Sequence, residues 1–140
     1  MVSIRMATPA LYDVLIIGGG PAGLSIAAGL ARQTHTALIL DSGHYRNAVS
    51  KHMHNVAGFD HVNPEDFRAK CRQDLKTRYS SIEYKVATVK EVKKLDDGNF
   101  EATDEAGSVY RSRKLGLATG VRDKLEKTIP GYAECWGRGV

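Results

Sequence analysis

Three glycines, one carboxylate and a few polar loop residues are the side chains and backbone positions in this sequence with chemistry to offer. Gly18, Gly20 and Gly23 fit G-x-G-x-x-G, and Asp41 follows 18 residues after the last of them. This is the spacing of a dinucleotide-binding turn. Gly18 permits a tight turn, Gly20 lets backbone approach a pyrophosphate, and Gly23 lets a helix pack close to a strand. Asp41 stands where a carboxylate can accept a hydrogen bond from a ribose hydroxyl. Farther on, Arg46 can meet a phosphate, while Asn47 and Asn55 can both donate and accept hydrogen bonds. His52 and His54 have no third metal ligand at a suitable spacing, so no metal is expected. The two cysteines, Cys71 and Cys135, form no C-x-x-C. No catalytic residue is assigned.

These groups need a strand, a turn and a helix to hold them. Val14 to Ile17 make a short apolar run, as in a parallel strand buried on both faces. Pro21 falls near the helix start, where its missing N–H costs little, and free amides there favour a diphosphate. In that helix Leu24, Ala27, Ala28 and Ala31 give a small-residue face suited to a sheet. Thr36 to Leu40 predict the second strand. Residues 42–63 lack periodicity and predict a long functional loop.

A second helix is predicted over 64–79. Asn63 is its N-cap, Pro64 its first residue and Asp66 part of a capping-box-like start. Phe67, Cys71 and Leu75 form one apolar stripe, so Cys71 reads as a small core residue. From Ile82 the period changes to two. Residues 82–86, 87–95, 99–104 and 108–111 predict an antiparallel meander, with turns at residues 96–98 and 105–107. Lys114 to Ala118 predicts a further strand, ending at Ala118-Thr119-Gly120, where Gly120 can bring backbone close to a ligand. The fold class is therefore α/β, a Rossmann-like βαβ unit carrying an inserted β-meander. An NAD(P) dehydrogenase with a plain Rossmann fold would repeat βα units instead.

The 140 residues suffice for one sizeable core. A net charge of +4 is only mildly basic, and the lysines between Lys85 and Lys94 mix with Glu83 and Glu91. That pattern predicts a solvated face and no nucleic-acid partner. No run of 18 apolar residues and no signal-type apolar segment occurs. The expectation is a soluble, cytoplasmic protein without membrane contact.

The wording IIGGGPAGL, an acid ending the second strand, a meander and LATG before IPG resembles the FAD domain of thioredoxin-reductase-like flavoproteins. DSGHYRNAVSKHMHNVAGFD, RKLGLATGVRD and IPGYAECWGRGV resemble the fungal branch, which includes dithiol oxidases of gliotoxin type. The resemblance covers residues 11–140. It implies FAD as cofactor and places Gly18, Gly20, Pro21, Ala22 and Gly23 around its diphosphate. By the same resemblance Asp41 holds the adenosine ribose, Arg46 and Asn47 line the cofactor, and Asn55 lies near the flavin. Val89 would stand beside adenine, and Ala118, Thr119 and Gly120 would form the second FAD-contacting turn. Residues 1–11 read as a leader, 12–128 as the FAD-binding domain and 129–140 as a linker toward an NADPH and redox domain. The family's C-x-x-C, NADPH motif and returning segment are not among these 140 residues. The expectation is the FAD-binding portion of a dithiol/disulfide oxidoreductase in fungal secondary-metabolite biosynthesis, with a small-molecule dithiol substrate and homodimeric relatives. The alternative is a truncated, redox-inert module that binds FAD or a partner. Cys135 reads as structural.

Overall fold

The structure, a computed structural model, describes residues 10–125 and 128–136. Most of the expected leader (residues 1–9) and the end of the expected linker (residues 137–140) lie outside the described residues.

The apolar run at Val14 to Ile17 is the inner half of strand β1 (Leu11–Ile17). Leu15 and Ile16 are fully buried on opposite faces, which is why the run has no polar alternation. Helix α1 (Pro21–Arg32) follows, with Gly20 as N-cap and Pro21 at the first helical position. It buries Gly23, Leu24, Ala27 and Ala31. Ala28, expected on that face, is exposed. Strand β2 (Ala37–Asp41) is buried throughout and pairs parallel with β1. It begins one residue later than predicted and includes Asp41 as its last residue.

Helix α2 (Pro64–Arg78) starts where the capping residues predict. The Asn63 side chain accepts a hydrogen bond from the Glu65 amide at 2.8 Å. Leu75 is buried, with Cys71 packed beside it against the same core. Phe67, the third member of the stripe, meets Phe59 edge to face at 5.2 Å.

One six-stranded sheet organises the chain, in the order β3-β2-β1-β6-β5-β4. Its strands are completed by β3 (Ile82–Val86), β4 (Val89–Lys94), β5 (Phe100–Asp104) and β6 (Val109–Leu117). Two expectations need correction. β3 is not part of the meander: it pairs parallel with β2, from Ala37 beside Ile82 to Asp41 beside Val86. The two strands predicted at 108–111 and 114–118 are one strand, β6. It pairs antiparallel with β5 at its start and parallel with β1 along its length. The polar stretch Ser112-Arg113-Lys114 hides this continuity. Ser112 is fully buried and satisfies its hydroxyl on the Lys114 carbonyl at 2.7 Å, and Arg113 reaches Asp13 at 2.6 Å.

The sheet is covered on both sides. On one, Ile16, Ile39 and Ile82 pack against Leu24, Ala27 and Ala31 of α1 and Leu75 of α2. On the other, Leu15, Ile17, Leu38 and Leu40 meet Ala102 of the meander, flanked by Val89, Val92 and Tyr110. At ~25 cal/mol per Å² of apolar surface buried, this double covering is the main stabilising contribution. Residues 42–63 hold a 3-10 turn at Arg46–Val49 and a single bridge between Met53 and Val62. A short helix α3 (Tyr132–Cys135) follows the Ile129-Pro130-Gly131 turn.

Candidate functional site

The carboxyl ends of the parallel strands are tied together by backbone bonds. The Gly18 amide donates to the Leu40 carbonyl (2.8 Å), Ala118 to Ile17 (2.9 Å) and Ala87 to Asp41 (2.9 Å). The three turns leaving β1, β2 and β6 therefore converge on one place, the crevice where open α/β sheets bind ligands. A cleft of about 490 Å³ opens there, within the usual range for small-molecule sites.

The glycine turn forms its floor. Gly18 has φ +110°, a conformation that a side chain would strain, and an added Cβ would overlap the Ala118 carbonyl. A Cβ at Gly23 would overlap the Gly18 carbonyl and press on Ile16 at 3.3 Å, so this glycine is needed for helix-to-strand packing. Gly20 differs from both. A Cβ there would meet no protein atom within 4 Å, so the space beside it belongs to the cleft. The first turn of α1 leaves amides without intrahelical partners at this edge, with the positive end of the helix dipole behind them. No acidic side chain stands in that turn to occupy them.

Asp41, the last residue of β2, stands directly beside the glycine turn, its carboxylate against Gly19. The residue is only 2% exposed, and its carboxylate is firmly held. The hydroxyls of Tyr45 and Tyr84 both donate to Oδ2, and the Gly43 amide donates to Oδ1 at 3.0 Å. Burial alone would raise the carboxyl pKa. The two tyrosine hydroxyls, with the amides of Gly43 and Gly19, outweigh that and hold it below its ordinary value. Burial, then the bond to Asp41, pushes the hydroxyl pKa of Tyr45 and of Tyr84 up, so both remain protonated donors. A carboxylate offers about four acceptor positions. With the Gly19 amide these make four donors, so a ribose hydroxyl that reaches Asp41 would share an oxygen with one of them or displace it.

Of the thirteen residues singled out from the sequence, eleven line the cleft: Gly18, Gly20, Pro21, Ala22, Asp41, Arg46, Asn47, Val89, Ala118, Thr119 and Gly120. Gly23 sits behind the turn, in the packing layer. Asn55 is not among the lining residues; it is exposed, in a left-handed conformation, with its amide on Asp60 at 3.3 Å. Arg46 is largely exposed and lies 3.8 Å from Asp123. His52 stacks on His61 with ring centres 3.9 Å apart, and His54 contacts Asp60 at 3.2 Å. Among the described residues no cluster of three or more metal-ligating side chains occurs.

Sequence reasoning missed Gly19, Tyr45, Tyr84 and Arg68. An added Cβ at Gly19 would overlap the Asp41 carboxylate, so the middle glycine makes room for the acid. Tyr45 stands four residues beyond Asp41, a weak local signal. Tyr84 reaches Asp41 only through the β2–β3 pairing, and no motif spans that gap.

The residues present fit an adenine dinucleotide. Open space beside Gly20, unpartnered helix amides and a basic Arg46 suit phosphates; a held anionic acceptor suits a ribose.

The model of the pyridine nucleotide-disulphide oxidoreductase family matches residues 12–140. A thioredoxin reductase of Aspergillus oryzae, aclD, is 48% identical over 136 residues, 96% of this chain and 42% of the relative. A thioredoxin reductase of Claviceps purpurea, tcpT, gives the same identity and coverage. Among solved structures, an oxidoreductase from Agrobacterium tumefaciens superposes with a TM-score of 0.85 at 35% identity, over 92% of this chain and 43% of that one. A putative thioredoxin reductase from Bacillus anthracis gives 0.84 at 29% identity, over 90% and 42%. The chain thus spans about two-fifths of the length of the curated relatives it matches. Among the described residues no helix is long and apolar enough to cross a membrane.

Proposed function

The chain belongs to the pyridine nucleotide-disulphide oxidoreductase family, and on that premise we propose that it is the FAD-binding portion of a thioredoxin-reductase-like oxidoreductase. The observation that carries this reading is the convergence of the β1, β2 and β6 turns on one cleft whose lining offers the first amides of α1 and, beside the glycine turn, the Asp41 carboxylate. In it the α1 amides and Arg46 bind the diphosphate, and the space beside Gly20 admits it. Asp41, held by Tyr45 and Tyr84, orients the adenosine ribose and rejects a ligand carrying an extra phosphate on that sugar by like charge. Val89 and the Ala118–Thr119–Gly120 turn line the remainder.

FAD, when bound, supplies a two-electron acceptor for thiol–disulfide chemistry. The thiols that react with it are not drawn from the two cysteines here. Cys71 packs on the core, where burial raises its thiol pKa, and Cys135 lies on α3 without a neighbouring thiol at C-x-x-C spacing. This portion's own work is binding and orientation. The substrate of the longer enzyme is a small-molecule dithiol, in fungal secondary-metabolite biosynthesis, within the cytoplasm and as a homodimer. The fungal relatives named as thioredoxin reductases support the redox part of that reading. A redox-inert FAD-binding module is the second reading, favoured by the separation of the two cysteines.

Titration of the purified chain with FAD and with NADH, followed by flavin fluorescence and by calorimetry, tests the cofactor. FAD binding in preference to NADH is expected; NADH binding without flavin affinity would overturn the assignment. Oxygen consumption with a small dithiol and added FAD should show no turnover by this chain; robust turnover that disappears in the Cys71→Ser, Cys135→Ser double variant would overturn the account of its cysteines.

A further inference from the structure

Among the described residues Arg68 is the one buried cation, only 4% exposed on α2. A guanidinium is always charged and carries five N–H donors but no acceptor, so burying it requires partners. It has two. Nη1 donates to Asn47 Oδ1 at 3.0 Å, and the guanidinium carbon sits 3.8 Å from the centre of the Tyr45 ring. Its Nε has no hydrogen-bond partner among the described residues. Tyr45 and Asn47 flank Arg46, and all three line the cleft. The buried charge therefore sits behind the segment that forms one wall of the site and grips it at both ends.

We propose that Arg68 is a positioning residue that fixes Asn47 as a hydrogen-bond donor to the bound dinucleotide, an inference that rests on the cleft being the FAD site. The reasoning is one of donor and acceptor matching. A carboxamide presents an oxygen that accepts and a nitrogen that donates. Because the guanidinium cannot accept, the Asn47 oxygen must face it. The Nδ2 group then remains for the cleft, and among the described residues it has no other partner. Two N–H groups there suit phosphate oxygens or ring carbonyls and disfavour a ligand donor. Without Arg68 the amide is free to turn over and present its oxygen, which repels phosphate. The guanidinium also stacks on Tyr45, whose hydroxyl is held separately by its own bond to Asp41.

A double-mutant cycle on the purified chain tests this, with FAD affinity measured by flavin fluorescence and apo stability by thermal melting. Asn47→Ala and Arg68→Met should each weaken FAD by about tenfold, the scale of one hydrogen bond to a charged group. The double variant should lose about tenfold, not a hundredfold, because Arg68 acts through Asn47. Arg68→Lys, which keeps a donor for the Asn47 oxygen, should recover most of the affinity even where apo melting stays low. That separates positioning from mere stability. Wild-type affinity in Asn47→Ala overturns the inference whether or not Arg68→Met folds, and so does additivity in the cycle. Failure of the wild-type chain to bind flavin would instead remove the assignment of the cofactor, before any variant is compared.

Discussion

Replacing Gly20 by valine and, separately, Gly23 by alanine separates space that belongs to a ligand from space that belongs to the protein. The two glycines lie three residues apart in one motif, yet their surroundings are opposite. A Cβ at Gly23 overlaps the Gly18 carbonyl, a backbone atom fixed by its place in the turn. Overpacking of that kind costs about 1–3 kcal/mol, and a backbone obstacle puts it at the upper end. At Gly20 the backbone is extended, φ −75° and ψ −176°, which valine adopts readily, and no protein atom stands within 4 Å of the new Cβ. The apo cost there is the poorer N-cap, about 1 kcal/mol.

The ligand sees the reverse. Valine at position 20 fills the cleft floor and keeps a diphosphate off the α1 amides. Loss of two hydrogen bonds to a charged group, about 1.5–3 kcal/mol each, weakens FAD by roughly a hundredfold or more. The assay is thermal melting of both variants without FAD, then fluorescence titration with it. Gly20→Val should melt within a few degrees of wild type and fail to bind. Gly23→Ala should melt far lower. If Gly20→Val binds FAD normally, the diphosphate does not pass over this turn and the account of the cleft is wrong.

Asp41→Ala should weaken FAD by about 1.5–3 kcal/mol, the range for a hydrogen bond to a charged acceptor; an unchanged dissociation constant would leave Asp41 as a structural anchor for Tyr45 and Tyr84 alone. The pH dependence follows from the lowered pKa of the same carboxyl. A depressed folded value stabilises the protein above the unfolded carboxylate pKa of about 3.9, and the contribution disappears as pH falls through the folded value. Urea unfolding at pH 6 and at pH 3 should therefore show a larger loss for wild type than for Asp41→Asn, and equal losses would refute the linkage. Of the two thiols, Cys71 is half-buried with a raised pKa while Cys135 is exposed. A thiol reagent at neutral pH should modify Cys135 first, by mass spectrometry, and equal rates would mean that α2 does not pack as described.

How far the sequence reveals this molecule depends on whether a feature is local. The glycine turn, the Asn63 cap and the apolar strands follow from short-range rules, and the structure shows the physical reason for each. The edge position of β3 does not: Ile82, Tyr84 and Val86 alternate with Glu83 and Lys85, and that alternation describes a meander strand as well as a parallel edge strand. The length of β6 is hidden by Ser112 to Lys114, whose polar groups find partners in β6's own backbone and in Asp13 of β1. The site divides along the same line. Residues that touch the cleft through their backbone were legible, because a turn needs glycine wherever it occurs. The groups that hold the acid were not, because Tyr84 lies 43 residues from Asp41 and Arg68 lies 21 from Asn47. Each reads alone as an ordinary strand or helix residue. Only the sheet order and the seat of α2 bring them together, so the charge that orders the cleft wall appears in the fold and in no motif.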